Sequence, residues 1–92
     1  MSGDESALER LIGRQVVLDM TSMYVILGTL EQIDHRYLIL ADADVHDLRD
    51  SSTTRELYVR DAHEHGITAT RKRVYAQRSD IVSLSLLEDV LS

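Results

Sequence analysis

A small, mainly β barrel carrying a short helix is the fold class this sequence predicts, and three observations predict it. The hydrophobic period changes from helical to strand-like after Gly13. Five short apolar runs then follow, separated by polar breaks. The chain has 92 residues, which suits one domain with a modest core but not two.

The first element reads as a helix over residues 6–12. Ser6-Ala7-Leu8-Glu9 has the spacing in which a Ser hydroxyl and a Glu carboxylate satisfy orphan amides reciprocally. Ala7, Leu8, Leu11 and Ile12 recur at helical spacing, and Gly13 supplies a left-handed stop. The period then changes. Gln15-Val16-Val17-Leu18-Asp19-Met20 reads as the first strand, and residues 24–33 as a long second one. Gly28, in the middle of the second strand, is what a sharp bend needs, because no Cβ blocks the close approach of neighbouring backbone. Asp34-His35-Arg36 is a tight polar turn, and residues 37–45 form a third strand by hairpin logic.

A polar loop over 47–52 breaks the pattern. Thr53-Thr54-Arg55-Glu56 repeats the capping-box spacing, and Gly66 follows His65 as a C-cap. A helix over 54–65 fits these signals. A strand over 56–60 followed by a turn fits the β-branched and aromatic content equally, and both readings stay open. Residues 71–78 predict a fourth strand, Ser79-Asp80 a two-residue turn, and residues 81–86 a fifth strand. One N-terminal helix and five strongly bent antiparallel strands in this order predict a small SH3-like barrel, with an extra helix between strands 3 and 4.

Composition narrows the function. Hydrophobic residues are 43% and charged residues 28%, the balance of a soluble globular protein. The absence of Cys rules out disulfides and thiolate metal sites. Phe, Trp and Pro are absent too, so the core is aliphatic plus Tyr, and it is thin enough for self-association to help it. No apolar run is long enough to span a bilayer and the N-terminus is acidic, so the expectation is a cytoplasmic protein without a membrane partner. The net charge of −6 opposes nucleic-acid binding at long range, although a local basic patch could still act.

Two stretches resemble the Sm/LSm family. In the first, over residues 13–44, Gly13 ends the helix and Val16 and Leu18 follow. Gly28-Thr29-Leu30-Glu31-Gln32-Ile33-Asp34 then fits the family's Gly-x-Leu-x-x-x-Asp. In the second, over 74–89, Ser79-Asp80-Ile81-Val82-Ser83-Leu84-Ser85 is similar to the family's last turn and strand. The resemblance covers roughly half the chain. It implies a ring in which the fourth strand of one copy pairs with the fifth of the next, a heterologous contact through otherwise open edges. Val74, Tyr75, Ala76, Ile81, Val82 and Leu84 are the expected interface, and the partner is the chain itself in a cyclic homo-oligomer. The long connection over 45–73 is expected to decorate one face of that ring.

The resemblance also implies single-stranded RNA as a ligand and no catalysis. Asp34, Arg36, Tyr37, Gln77, Arg78 and Asp80 are the expected RNA contacts, with Tyr37 suited to stacking on a base. Two positions depart from the family: its base-contacting Asn is missing after Asp34, with Leu38 near that place, and Gln77-Arg78 stands where Arg-Gly is usual. A second reading follows from these departures, namely an oligomeric scaffold that has lost RNA recognition and docks protein partners through the inserted helix.

Other groups have an ordinary role open to them beside a functional one. Arg71-Lys72-Arg73 with Tyr75 and Arg78 could form a phosphate-attracting belt, or simply a solubilising strand paired with acids such as Glu64. Asp34 could bond its own turn amides. Asp42, Asp44 and His46 alternate, so they should share one strand face; a divalent metal is conceivable there, but a solvated face is the commoner outcome. His63 and His65 lack the i, i+4 spacing of helical ligands. No metal, cofactor or catalytic residue is assigned: the chain holds no Gly-rich phosphate loop and no Gly-x-Ser-x-Gly.

Overall fold

The computed structural model describes residues 7–49 and 53–91. Strands β1 (Gln15–Met20), β2 (Tyr24–Ile33), β3 (Tyr37–Asp47), β4 (Arg71–Gln77) and β5 (Ile81–Leu86) form one sheet. Its order is β4–β3–β2–β1–β5, with every pairing antiparallel, so β4 and β5 are the two edges. The strands match the sequence reading closely. The differences are that β3 continues two residues beyond Val45, and that a 3-10 turn, Arg78–Asp80, replaces the two-residue turn between β4 and β5.

Among the described residues at the N-terminus, 7–9 are helical and 10–12 are turn, where a helix over 6–12 was expected. Ser6, the expected cap, lies outside the described residues. Leu11 and Ile12 donate to the carbonyls three residues back, at 2.9 and 3.2 Å, a tighter winding than an α-helix. The reason lies in Gly13. It takes φ +91° and its N–H donates to the Leu30 carbonyl at 2.7 Å, which draws the chain into the sheet early.

The segment with two open readings is a helix, α1 (Arg55–His65). Its cap falls on Thr54 rather than Thr53: the Thr54 Oγ1 accepts the Leu57 N–H at 3.2 Å. Glu56 therefore sits in the first turn, where its charge complements the positive end of the helix dipole, instead of closing a box. The Gly66 N–H ends the helix by donating to the Ala62 carbonyl at 2.8 Å.

Packing explains why two runs in the sequence are apolar without alternation. Val16 and Leu18 of β1, Ile26 and Leu30 of β2, and Leu38 and Leu40 of β3 share the inner core with Ala43 and Ala76. Val17, Val25 and Leu27 face the other way and form a second core with Val59 and Ala62 of α1 and with Leu87. Strands buried on both faces read as continuous hydrophobic runs. Here the inserted helix covers the outer face of β1 and β2. Among the described residues no helix is long and apolar enough to cross a membrane.

The bend in the sheet is at Gly28. The β2–β3 register shifts between Leu27 and Thr29 and again between Leu30 and Gln32, which marks bulges. A Cβ at Gly28 would lie 3.0 Å from the Cβ atoms of both Ala43 and Leu40, so only glycine allows β3 to come this close.

Candidate nucleic-acid interface

Residues 34–36 make the turn between β2 and β3. One carboxylate oxygen of Asp34 accepts the backbone N–H of Arg36 at 2.8 Å and of Tyr37 at 2.6 Å. The Asp34 N–H donates to the Tyr37 carbonyl at 3.0 Å. Asp34 thus bonds its own turn amides, the ordinary role of an Asp in a turn. The Tyr37 amide, then that of Arg36, holds its carboxyl below the usual range, with His35 and Arg78 adding a smaller electrostatic pull.

This depression has a sign that can be tested. The carboxyl binds its proton less readily when folded, so its contribution to stability is complete above the unfolded pKa of about 4 and fades as pH falls through the folded value. Asp34→Asn keeps an acceptor oxygen for the turn but no longer titrates. Urea midpoints measured from pH 6 down to pH 2.5 should fall less steeply for Asp34→Asn than for the wild type. Parallel curves would show that the turn is not the titrating element.

The second turn closes onto the first. The Arg78 N–H donates to the Arg36 carbonyl, and Arg78 Nη1 donates to the Asp34 carbonyl, both at 2.8 Å. Tyr37 stands across from Gln77 in the β3–β4 pairing, and its ring meets that of Tyr75 edge-on at 6.1 Å. Five of the six expected contact residues, Asp34, Arg36, Tyr37, Gln77 and Arg78, are therefore gathered at one end of the barrel. Asp80 is at the far end of the 3-10 turn, where its carbonyl accepts the Thr21 N–H at 2.7 Å. The cluster combines two guanidinium groups with two phenol rings. Phosphate attraction and base stacking are what such a set can do chemically.

The expected interface residues divide into two kinds. Ala76 is in the inner core, and Val74, Ile81 and Leu84 pack partly buried against it. Tyr75 and Val82 are 60% and 67% exposed. Of the expected set, Tyr75 and Val82 are therefore the side chains the edges present.

The acidic and basic groups outside the turns take other roles. Arg73 pairs with Glu31 rather than with Glu64, through Nε–Oε1 at 2.8 Å, and this bond lowers the Glu31 pKa and raises that of Arg73. Asp44 and His46 share a face, as alternation predicts, and that face is the one covered by Tyr58 of α1 rather than solvent; Asp42, one period earlier, adopts φ +48°, which interrupts the strand period. Asp44 instead accepts the Tyr58 hydroxyl and, at 2.5 Å, the Thr70 hydroxyl. His46 stacks on the Tyr58 ring with centroids 4.2 Å apart. Burial, followed by the bond to Asp44, raises the Tyr58 pKa strongly. These groups clamp α1 onto β3. The cluster that could hold a cation is a different one, Asp61, Glu64 and His65, whose ligand atoms lie within 4.8 Å of one another on the exposed side of α1. The i, i+3, i+4 spacing was the available signal, and it shows only if Asp61 is read together with His65.

Solved structures share this architecture. A Pyrococcus abyssii Sm protein in complex with a uridine heptamer superposes with a TM-score of 0.60 at 12% identity, covering 92% of this chain and 99% of the other. The P. aerophilum SmAP1 heptamer gives 0.59 at 17% identity, covering 94% and 95%. The chain has an Sm-like fold. A chain of the NatC complex bound to Gag peptide and CoA shares this fold, with a TM-score of 0.55 at 17% identity over 84% of this chain and 86% of the other. No protein-family model and no curated protein matches the sequence. The Sm-like fold accounts for the joined turns: the 3-10 turn carries the chain from β4 at one edge of the sheet to β5 at the other.

Proposed function

We propose that this is a cytoplasmic, ring-forming Sm-like protein that binds single-stranded RNA without catalysing a reaction. The observation that carries the reading is the junction of the two turns, with Arg36, Tyr37, Gln77 and Arg78 gathered in a fold shared with an Sm protein bound to a uridine heptamer. Edges β4 and β5 are open in this chain, and two of the similar structures are heptamers. A ring would repeat one shallow site around a centre. Each site would be weak, and a strand touching several would be held by effective concentration. The net charge of −6 restricts this binding to the local cations and makes it sensitive to salt.

Light scattering with and without a uridine-rich RNA at low salt tests both halves. The expected result is one species several times the monomer mass that shifts with RNA. Tyr37→Ala should weaken RNA binding about 5- to 100-fold, the loss of one stacked base, without changing the mass of the protein alone. A ring that ignores RNA would favour the second reading, a scaffold that docks protein partners through α1. The likeness to a chain of the multiprotein NatC complex supports that reading, as does Leu38 near the place of the family's Asn.

A further inference from the structure

The outer face of β4 carries a second aromatic ring beside the turn site. Val74 and Ala76 pack with the inner core, so Arg73, Tyr75 and Gln77, which alternate with them, are on the outer face. Leu38 and Leu40 of β3 likewise pack inward, which puts Tyr37 and Ile39 on that same face. In the β3–β4 pairing Tyr37 stands across from Gln77, and Ile39 across from Tyr75. Tyr37 and Tyr75 are therefore diagonal neighbours, with ring centroids 6.1 Å apart and planes at 87°. Ile39 is 5% exposed, whereas Tyr75 keeps 60% of its surface in solvent and adds little to the core.

The angle between the rings decides what they can hold together. Bases stacked on one another are parallel, with a rise of roughly 3.4 Å per nucleotide. Rings at 87° can each lie parallel to a base only when the two bases are turned away from one another. The separation of 6.1 Å points the same way, since it is well over that rise. The pair thus suits a strand whose neighbouring bases are unstacked. Cations mark where its phosphates would go. Arg36 and Arg78 stand at the turn end of β4, with Arg36 joined to the turn through its backbone. Arg73, at the other side of Tyr75, is held by Glu31 through Nε–Oε1 at 2.8 Å and Nη2–Oε2 at 3.2 Å, which offsets its charge.

We propose that Tyr75 is a second base-stacking position, so that each copy holds two nucleotides of an extended single strand, one on Tyr37 and one on Tyr75. The inference rests on the RNA reading above and deepens it, because it sets the ligand class as single strands that unstack at low cost. An aromatic side chain accepts the face of any base, so preference among strands follows from stacking strength and backbone flexibility. A duplex, whose bases stay stacked, cannot use the pair. The proposal also assigns Tyr75 to the ligand rather than to the contact between copies that the sequence resemblance implies for it.

Binding of a labelled uridine oligonucleotide at low salt, followed by fluorescence anisotropy, tests this, with light scattering for the mass of each protein. Tyr75→Ala should weaken binding about 5- to 100-fold, the loss of one stacked base. Tyr75→Phe should bind as the wild type does, and Tyr75→Leu should behave as Tyr75→Ala, since it keeps an apolar side chain without a ring. The mass of all three should match the wild type. The Tyr37→Ala protein, titrated to saturation, is the background that separates stacking from support. If each ring holds its own base, Tyr75→Ala costs a similar factor again there. An effect that vanishes in that background would show that Tyr75 only props Tyr37, and would overturn the proposal. A Tyr75→Ala protein of lower mass would overturn it too, by placing the ring in the contact between copies. A wild type that binds no RNA would overturn the RNA reading itself, and the proposal with it.

Discussion

Leu40→Ala should destabilise the protein by about 2–5 kcal/mol, the range for emptying a buried leucine site. Leu40 has no exposed surface and is central to the inner core, packed with Val16, Leu18, Leu30 and Ala43. Its neighbours are pinned by pairing on both sides, since β3 bonds to β2 and to β4, so collapse into the cavity is limited. Small domains hold only about 5–15 kcal/mol in total, so this one change removes a large share of the margin. The melting temperature should fall by about 4–8 °C for each kcal/mol lost. Thermal unfolding by circular dichroism reads this directly, and a fall of less than about 5 °C would show that the inner core is not the main source of stability. Val59→Ala in the second core provides the contrast. Val59 is 8% exposed and touches only the helix side of the sheet, so its loss should loosen α1 more than it lowers the global midpoint.

The second large effect is expected at Gly28. Two terms compete there. Replacing glycine by alanine reduces the freedom of the unfolded chain and, where the native backbone accepts a Cβ, stabilises by about 0.4–1 kcal/mol. Overpacking a tight site costs about 1–3 kcal/mol. The new methyl would sit 3.0 Å from the Cβ of Ala43 and 3.0 Å from that of Leu40. Both atoms are fixed to strand backbone and cannot rotate away, so the unfavourable term should win. Gly28→Ala should lower stability by about 1–2 kcal/mol, and Gly28→Val by more. Ala43→Gly removes one of the obstructing atoms, so the double variant Gly28→Ala/Ala43→Gly should lose less than the sum of the single changes. A neutral or stabilised Gly28→Ala protein would mean that β3 can yield at this point and that the bend does not depend on glycine.

The strands were legible because their signals are local. The apolar run from Val16 to Leu18, the polar break at Thr21-Ser22 and the turn at Asp34-His35-Arg36 each act within a few residues, and all five strands fall where the sequence placed them. The bend at Gly28 was legible for the same reason. The helix of the insertion was half legible. Thr54 and Gly66 delimit α1, but Leu57, Tyr58 and Val59 are as suited to a strand, and local pattern leaves the choice open. Burial of Val59 and Ala62 against Val17, Val25 and Leu27 resolves it, and these partners are far away in sequence. The N-terminal turn was overestimated because the bond from Gly13 to Leu30 crosses the fold.

The site divides in the same way. Asp34 and its turn amides lie within three residues of one another, so their geometry follows from the sequence alone. Alternation placed Asp44 and His46 on one face, where both meet Tyr58, but it assumes an unbroken strand and so does not reach back across the left-handed residue at Asp42. The pairing of Arg73 with Glu31, the clamp of Tyr58 on Asp44, and the closure of Arg78 onto Arg36 join residues 42, 14 and 42 positions apart. By itself the sequence determined the strands, the turns and the positions of glycine and caps, since these follow from backbone preferences acting over a few residues. Only the tertiary structure decided which face each residue occupies, which charges meet, and that the insertion covers the outer face of β1 and β2, because those depend on contacts between segments that local preference does not relate.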